Sequence, residues 1–235
     1  MAISIVINRN SASTAETART DQGNIKKLNL KSVRVGSANH NNGNGYPFIS
    51  YGNGRYQQIY SASAFSQPLY ISKLSFFNSE FFPGTAIIST ANYKIRLSTT
   101  QRQVKKLNSN FANNLGSDVK TFFEGILSGN TGIKFDISGA SDFFYDPAKG
   151  NLLIDIVVSN NQNNGSGLLD IDTSGTVISC TSYGSTDSIG LITEFTGTSK
   201  PISVPNFTGN TSLLPFSFFG VGSLLRRKQP QNVIA

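Results

Sequence analysis

The sequence contains few of the residues on which most enzymes and metal sites depend. Its 235 residues include one cysteine (Cys180), one histidine (His40) and no tryptophan. A single cysteine excludes an intrachain disulfide, and one cysteine with one histidine disfavours zinc, whose structural sites take four such ligands. His40 lies in a polar stretch outside any nucleophile motif, so a Ser-His-Asp or Cys-His arrangement is not expected. The sequence therefore predicts a non-enzymatic protein without a cofactor.

Charge is also scarce, and its imbalance lies at the two ends. Only 14% of the residues are charged, and the formal net charge is +7. Residues 1–40 carry six basic and two acidic side chains, residues 226–235 carry three basic ones, and the segment between them carries eleven of each. A nucleic-acid-binding domain holds its positive charge on the folded surface. The neutral middle segment therefore argues against nucleic acid as a partner.

Short β patterns dominate the middle of the chain. In residues 93–98, Tyr93, Ile95 and Leu97 alternate with polar residues, which is typical of a half-buried strand. Residues 69–77 and 152–158 read as further strands, and the turn sequence DPAKGN precedes the second of them. No alternation of strands with helices is present. We therefore expect an all-β fold, an antiparallel β-sandwich or jelly roll.

Two local features add detail to this fold. Val104, Leu107, Phe111 and Leu115 are spaced by three, four and four residues, which predicts one short helix lying over the sheet. Residues 168–171 and 176–180 flank a Thr-Ser-Gly turn and predict a β-hairpin.

Composition divides the chain into three parts. Residues 1–44 are polar and weakly periodic, which predicts a disordered segment. Residues 45–198 hold the strand patterns of the sandwich, and residues 199–235 form a tail. The first ten residues, MAISIVINRN, have no basic residue ahead of their short apolar stretch, so they do not match a general secretion signal.

The tail has three pieces in a fixed order. Val204, Pro205 and Asn206 form a short polar piece, residues 213–225 an apolar run, and a basic cluster closes it, consisting of Arg226, Arg227 and Lys228. The run is shorter than the roughly 20 residues of a typical membrane span. Basic residues after an apolar run resist translocation and remain cytoplasmic. The tail therefore predicts a hydrophobic sorting helix; the alternative is an ordinary last strand with a polar end.

This order of pieces resembles the PEP-CTERM sorting tail of exported bacterial proteins. Pro205 stands at the first proline of the motif, and Asn206 and Phe207 stand at its Glu and Pro, so the motif is a degenerate form. The segments RYQQIYSASAFS, ISKLSFFN, YKIRLSTT, LNSNFANNLGSD and FFYDPAKGNLLIDIVVS are similar, in that order, to a group of PEP-CTERM proteins.

The resemblance implies an exported protein of the cell envelope or extracellular matrix, associated with exopolysaccharide. It also implies transient anchoring in the membrane through the tail and processing by an exosortase-like enzyme. The specific role would be structural or adhesive.

A carbohydrate-binding module is the alternative function. Ring faces of exposed aromatic side chains pack on pyranose rings, and Tyr51, Tyr56 and Tyr60, together with Tyr70, are the candidates for such a platform. The competing interpretation is that they are core tyrosines with a hydroxyl at the edge of the core.

Acidic residues suggest two further kinds of site. Asp170 and Asp172, followed by Ser174 and Gly175, resemble the first half of a calcium loop, but Thr181 stands where the loop needs a bidentate acid. They are weak metal candidates, and a turn explains them equally well. For glycoside hydrolysis, two carboxyl groups must face each other. The residues considered for such a pair are Glu124, Asp136, Asp142, Asp146 and Asp155, of which Asp136 and Asp155 occupy outward strand positions where a charge is expected to be solvated.

Overall fold

The computed structural model describes residues 30–38, 42–81, 84–182 and 185–199; of residues 17–18, 26–27, 182, 185 and 186 it describes the backbone alone. Over these residues the strands are β1 (Thr17–Ala18), β2 (Lys26–Lys27), β3 (Leu30–Val35), β4 (Gly54–Tyr60), β5 (Leu69–Phe77), β6 (Ile87–Thr100), β7 (Lys120–Asn130), β8 (Lys134–Tyr145), β9 (Asn151–Asn163), β10 (Ile171–Asp172), β11 (Ile178–Ser182), β12 (Ser185–Asp187), β13 (Gly190–Leu191) and β14 (Thr193–Thr198). The described residues also form three short 3-10 helices: Ala62–Ala64, Phe111–Asn114 and Pro147–Lys149.

Two antiparallel sheets pack face to face, which confirms the predicted all-β sandwich. One sheet has six strands in the order β12-β11-β4-β9-β6-β7, and the other has four in the order β3-β14-β5-β8. The pairs β1-β2 and β10-β13 form two small additional sheets. Strands β5, β6 and β9 include the predicted strand segments 69–77, 93–98 and 152–158, respectively.

Alternation along the strands places the core between the two sheets. In β6, Tyr93, Ile95 and Leu97 are buried, whereas Lys94 and Arg96 lie on the outer face. Burial of one apolar face per strand is the main driving force for joining two sheets.

Aromatic rings fill the centre of this core. Phe48, from the connection between β3 and β4, contacts Phe76 of β5 and Phe135 of β8 at centroid distances of 4.8 and 5.1 Å. The same ring stacks on Tyr93 of β6 at 5.5 Å. Phe48 therefore joins residues of both sheets.

Two predictions of chain organisation are wrong. Leu30–Val35, within the segment predicted to be disordered, is strand β3 and pairs with β14 along its whole length. The predicted hairpin also fails, because β10 pairs with β13, whereas β11 pairs with β4 and β12. Strand β11 pairs along the edge of β4. In this position its side chains Ile178 and Cys180 are buried in the core.

The predicted helix over the sheet is present only as the 3-10 turn Phe111–Asn114. Asparagine side chains supply the reason: Asn108 accepts from the backbone N–H of Asn110 at 2.8 Å, and Asn110 accepts from that of Ala112 at 3.1 Å. Such local bonds compete with the bonds of a longer helix. Leu107 nevertheless packs on the sheet, in a small cluster with Ile59 and Leu153.

Candidate functional site

A buried ion cluster lies on the outer face of the six-stranded sheet. Asp155 of β9 lies between Gln57 of β4 and Arg96 of β6 in the strand register. Its Oδ1 accepts from Nε of Arg55 at 2.6 Å and from Nε2 of Gln57 at 2.8 Å, and its Oδ2 accepts from Nε of Arg96 at 2.7 Å. The Asp155 side chain is 1% exposed, and each arginine side chain is about one quarter exposed.

The loop between β6 and β7 covers this cluster. The carbonyl of Phe111 accepts from Nε2 of Gln57 at 3.0 Å, and Nδ2 of Asn114 donates to Oε1 of Gln57 at 2.8 Å. The Phe111 ring also lies 5.2 Å from the guanidinium carbon of Arg55. The prediction of a solvated charge at Asp155 is therefore wrong: its position does face outward, but a loop encloses it. The cluster fastens that loop to the sheet.

Two other acidic residues considered for hydrolysis, Asp136 and Glu124, do not join Asp155. Asp136 of β8 lies on the outer face of the four-stranded sheet, where it binds Lys73 Nζ at 3.0 Å and Ser75 Oγ at 2.6 Å. Burial raises the pKa of Asp136, but the hydrogen bonds from Ser75 and Lys73 outweigh it, so the pKa lies below its usual value. Glu124 pairs with Lys94 at 2.9 Å on the exposed surface of the six-stranded sheet. Asp136 and Asp155 thus lie on opposite outer faces of the sandwich.

Tyr51, Tyr56 and Tyr60 lie in the core, so the predicted carbohydrate platform on these residues is wrong. They are 3%, 1% and 0% exposed. Tyr56 and Tyr60 point inward from β4, and Gln58 between them bonds both hydroxyl groups as well as the backbone of Leu191. The hydroxyl of Tyr60 also lies 2.6 Å from Oγ1 of Thr193. The competing interpretation, core tyrosines, is correct for all three, although the hydroxyl groups of Tyr56 and Tyr60 are bonded inside the core and not at its edge.

The single cysteine lies beside these tyrosines and is buried. Burial raises the pKa of the Cys180 thiol to about 12, against a smaller opposing effect of its bond with Tyr56. Because the thiolate is the reactive form, Cys180 is held in the unreactive form at neutral pH.

The calcium candidates form a turn. Oδ1 of Asp172 accepts from the backbone N–H and the hydroxyl of Ser174 at 2.7 and 2.6 Å, and Oδ2 accepts from the N–H of Ser37 at 2.9 Å. Burial raises the pKa of Asp172, but these hydrogen bonds outweigh it and hold the pKa below its usual value. Asp170 is buried, and its backbone bonds Phe77 and Ile192. Within the described ranges, no group of three or more His, Cys, Asp or Glu residues is placed to hold a metal ion.

A shallow polar cleft of about 740 Å³ opens beside Asp172. Its lining includes Arg34, Ser37, Ser174 and Thr176. The bonds of Asp172 to Ser37 and Ser174 fix two sides of this cleft.

An aromatic pair of one partly exposed and one exposed residue lies on the outer face of the four-stranded sheet. Tyr70 of β5 stands directly opposite Phe144 of β8, and their ring centroids are 4.6 Å apart at an interplanar angle of 37°. Phe144 is 42% exposed. Of the four tyrosines considered for carbohydrate binding, only Tyr70 lies on an outer face. Phe144 was not singled out from the sequence, because Phe143, Phe144 and Tyr145 are three aromatic residues in a row and show no alternation that separates the outward one from the two core residues.

The sorting residues Val204, Pro205, Asn206, Arg226, Arg227 and Lys228, and His40, lie outside the described residues. In the part of the chain that is described, no helix is long and apolar enough to cross a membrane.

Comparisons with protein-family models, with curated proteins and with solved structures find no match to this chain.

Proposed function

We propose that this chain is a non-enzymatic, exported protein of the bacterial surface or extracellular matrix, whose tail sorts it to that location. The observation that carries the proposal is the order of pieces in residues 199–235: a proline-containing piece, an apolar run and a basic cluster. The apolar run inserts into the membrane, and the basic cluster stays on the cytoplasmic side because Lys and Arg resist translocation. A processing enzyme of the exosortase type then acts near Pro205.

The fold supports this proposal in one respect. Strand β14 ends at Thr198 and is bonded to β3 on one side and to β5 on the other. The last strand of the sandwich is therefore internal to its sheet and ends just before the tail begins. Removal of the tail at Pro205 would remove no residue of a described strand.

Removal of residues 199–235 tests the role of the tail. We expect the full chain, expressed in its host, to be recovered partly in the membrane fraction, and the shortened chain to be lost from it. A variant with Arg226, Arg227 and Lys228 all replaced by Gln keeps the apolar run and should also fail to be retained. Identical fractionation of the full and shortened chains would contradict the proposal.

Polysaccharide recognition is a second candidate function. Phe144 favours it, because this side chain is 42% exposed on an outer sheet face beside Tyr70, and an exposed aromatic ring can pack on a sugar ring. A matrix protein that binds polysaccharide would combine both functions.

A further inference from the structure

Four asparagine residues of the chain are followed directly by glycine: Asn42, Asn44, Asn53 and Asn164. In such a pair the backbone nitrogen of the glycine can attack the side-chain carbon Cγ of the asparagine, because glycine has no side chain that hinders the close approach. The attack requires the two atoms to lie near each other, at about 3–3.5 Å in a reactive arrangement. The fold therefore decides which of the four pairs reacts.

Asn42 holds its side chain against its own glycine. The backbone N–H of Gly43 donates to Oδ1 of Asn42 at 2.8 Å. Because Cγ is bonded to Oδ1, and a carbonyl bond is about 1.23 Å long, the Gly43 nitrogen lies within roughly 4 Å of Cγ. Asn42 is exposed and Gly43 is partly exposed, so water and hydroxide reach the reacting atoms.

The pair at Asn164 is equally exposed but is arranged differently. The backbone N–H of Gly165 donates to the carbonyl of Ile49 at 2.7 Å and to Oγ of Ser89 at 3.0 Å. The nitrogen that would attack is therefore bonded to groups of other segments. Attack on Cγ of Asn164 would first require these bonds to break.

The other two pairs direct the asparagine oxygen away from the following glycine. Oδ1 of Asn44 accepts from the backbone N–H of Tyr46 at 2.9 Å. Oδ1 of Asn53 accepts from the backbone N–H of Asn161 at 3.0 Å, and Gly54 already belongs to strand β4. Both side chains would have to leave these bonds before cyclisation.

We propose that Asn42 is a site of spontaneous deamidation in the folded protein. Hydroxide removes the amide proton of Gly43, and the nitrogen attacks Cγ of Asn42. A bond from this nitrogen to Cγ forms, the bond from Cγ to Nδ2 breaks, and Nδ2 leaves as ammonia after taking a proton from water. Water then opens the cyclic imide at one of its two carbonyl carbons, which gives aspartate or isoaspartate without any oxidation or reduction.

The products alter a packed part of the connection between β3 and β4. The carbonyl of Asn42 accepts from Oγ of Ser79 at 3.2 Å, and a Cβ added at Gly43 would lie only 2.8 Å from Cβ of Leu168. Isoaspartate lengthens the backbone by one carbon atom at this point, and either product replaces a neutral amide with a carboxylate. We therefore expect the modified chain to be more acidic and to lose the contact with Ser79.

The test compares the folded and the unfolded full chain. Both are incubated in the same mildly alkaline buffer, one of them with guanidinium chloride, and are sampled for peptide mapping by mass spectrometry with fragment spectra that resolve Asn42 from Asn44. In the folded chain, deamidation at Asn42 should be at least about tenfold faster than at each of the other three sites, because small displacements of reacting atoms have effects of this size. In guanidinium chloride the four rates should converge.

Asn42→Gln is the informative variant, because its longer side chain must close a six-membered ring and does so less readily. It should remove the acidic species that isoelectric focusing detects in aged folded protein. Asn164→Gln is the matched control, since it removes an exposed pair that the fold protects, and it should age as the wild type does. Circular dichroism verifies the folding of both variants.

Three results would overturn the proposal: equal rates at the four sites in the folded chain, faster deamidation at a site other than Asn42, or a preference for Asn42 that persists unchanged in guanidinium chloride. The inference rests on neither of the proposed functions, so its failure leaves the sorting proposal standing.

Discussion

Replacing Asp155 with Asn is expected to destabilise the sandwich by about 3–5 kcal/mol. The change keeps the shape of the side chain but removes the charge that Arg55, Arg96 and Gln57 surround. Removing one partner of a buried ion cluster is costly because the remaining charges stay desolvated without compensation. Urea unfolding of the purified full chain, followed by circular dichroism, measures the change.

Glu124→Gln is the control for this experiment. Glu124 lies on the same outer face and also pairs with a cation of β6, but its side chain is 60% exposed. An exposed ion pair contributes only about 0–1 kcal/mol. If Asp155→Asn were no more destabilising than Glu124→Gln, the cluster would not be what fastens the loop between β6 and β7.

The second expected result is cooperative unfolding in alkaline solution, before the pH reaches about 12. Burial is the main cause that raises the pKa of Cys180 and of four tyrosines, Tyr56, Tyr60, Tyr93 and Tyr145. In the unfolded chain these groups ionise near about 8.5 for cysteine and about 10 for tyrosine. The unfolded state therefore releases protons first as the pH rises.

The sign of the pH dependence follows from this difference. The stability that these groups contribute is fully present below their unfolded pKa values and is lost as the pH rises above them. In that range each group lowers the free energy of unfolding by about 1.4 kcal/mol per pH unit. Summed over the five groups and about two pH units, this loss exceeds the stability of an ordinary domain. Urea unfolding at a series of pH values should show stability that starts to fall near about pH 9, where Cys180 alone contributes, and falls steeply above about pH 10, where the four tyrosines contribute as well.

Tyrosinate absorbance is the measurement that could contradict this prediction. Smooth ionisation of all tyrosines near their ordinary pKa, with the circular dichroism of the fold retained, would show that the four side chains are not buried. Tyr60→Phe is the informative variant. It removes one buried phenol and should make the loss of stability with pH less steep, although Thr193 loses a hydrogen-bond partner.

The inward and outward residues of a strand were predictable where one face is covered, and were not predictable where both faces are covered. In β6, Tyr93 and Lys94 alternate because one face of the strand meets the core. In β4, Gln57 and Ile59 are buried beneath the loop between β6 and β7, while Tyr56 and Tyr60 are buried in the core. A strand covered on both sides loses the alternation that separates inside from outside. This is why the sequence left open whether Tyr56 and Tyr60 are exposed or lie in the core.

Contacts between segments that are far apart in the chain could not be predicted either, because local sequence patterns do not show which segments will meet. Nothing near Asp155 in the chain indicates that Phe111 and Asn114 will cover its surroundings. The contact between Tyr70 and Phe144 likewise exists only through the register of β5 and β8. Ser72, the extra residue of a bulge in β5, adds to the difficulty, because it interrupts the alternation that would connect Tyr70 with Lys73.

Terminal peptide mapping by mass spectrometry tests the central claim most directly. The protein would be recovered from its host in three separate samples: cytoplasm, cell envelope and medium. The sorting proposal predicts a C-terminus near Pro205 in the envelope or medium. An intact C-terminus at Ala235, found only in the cytoplasm, would contradict export and processing and would leave an intracellular β-sandwich.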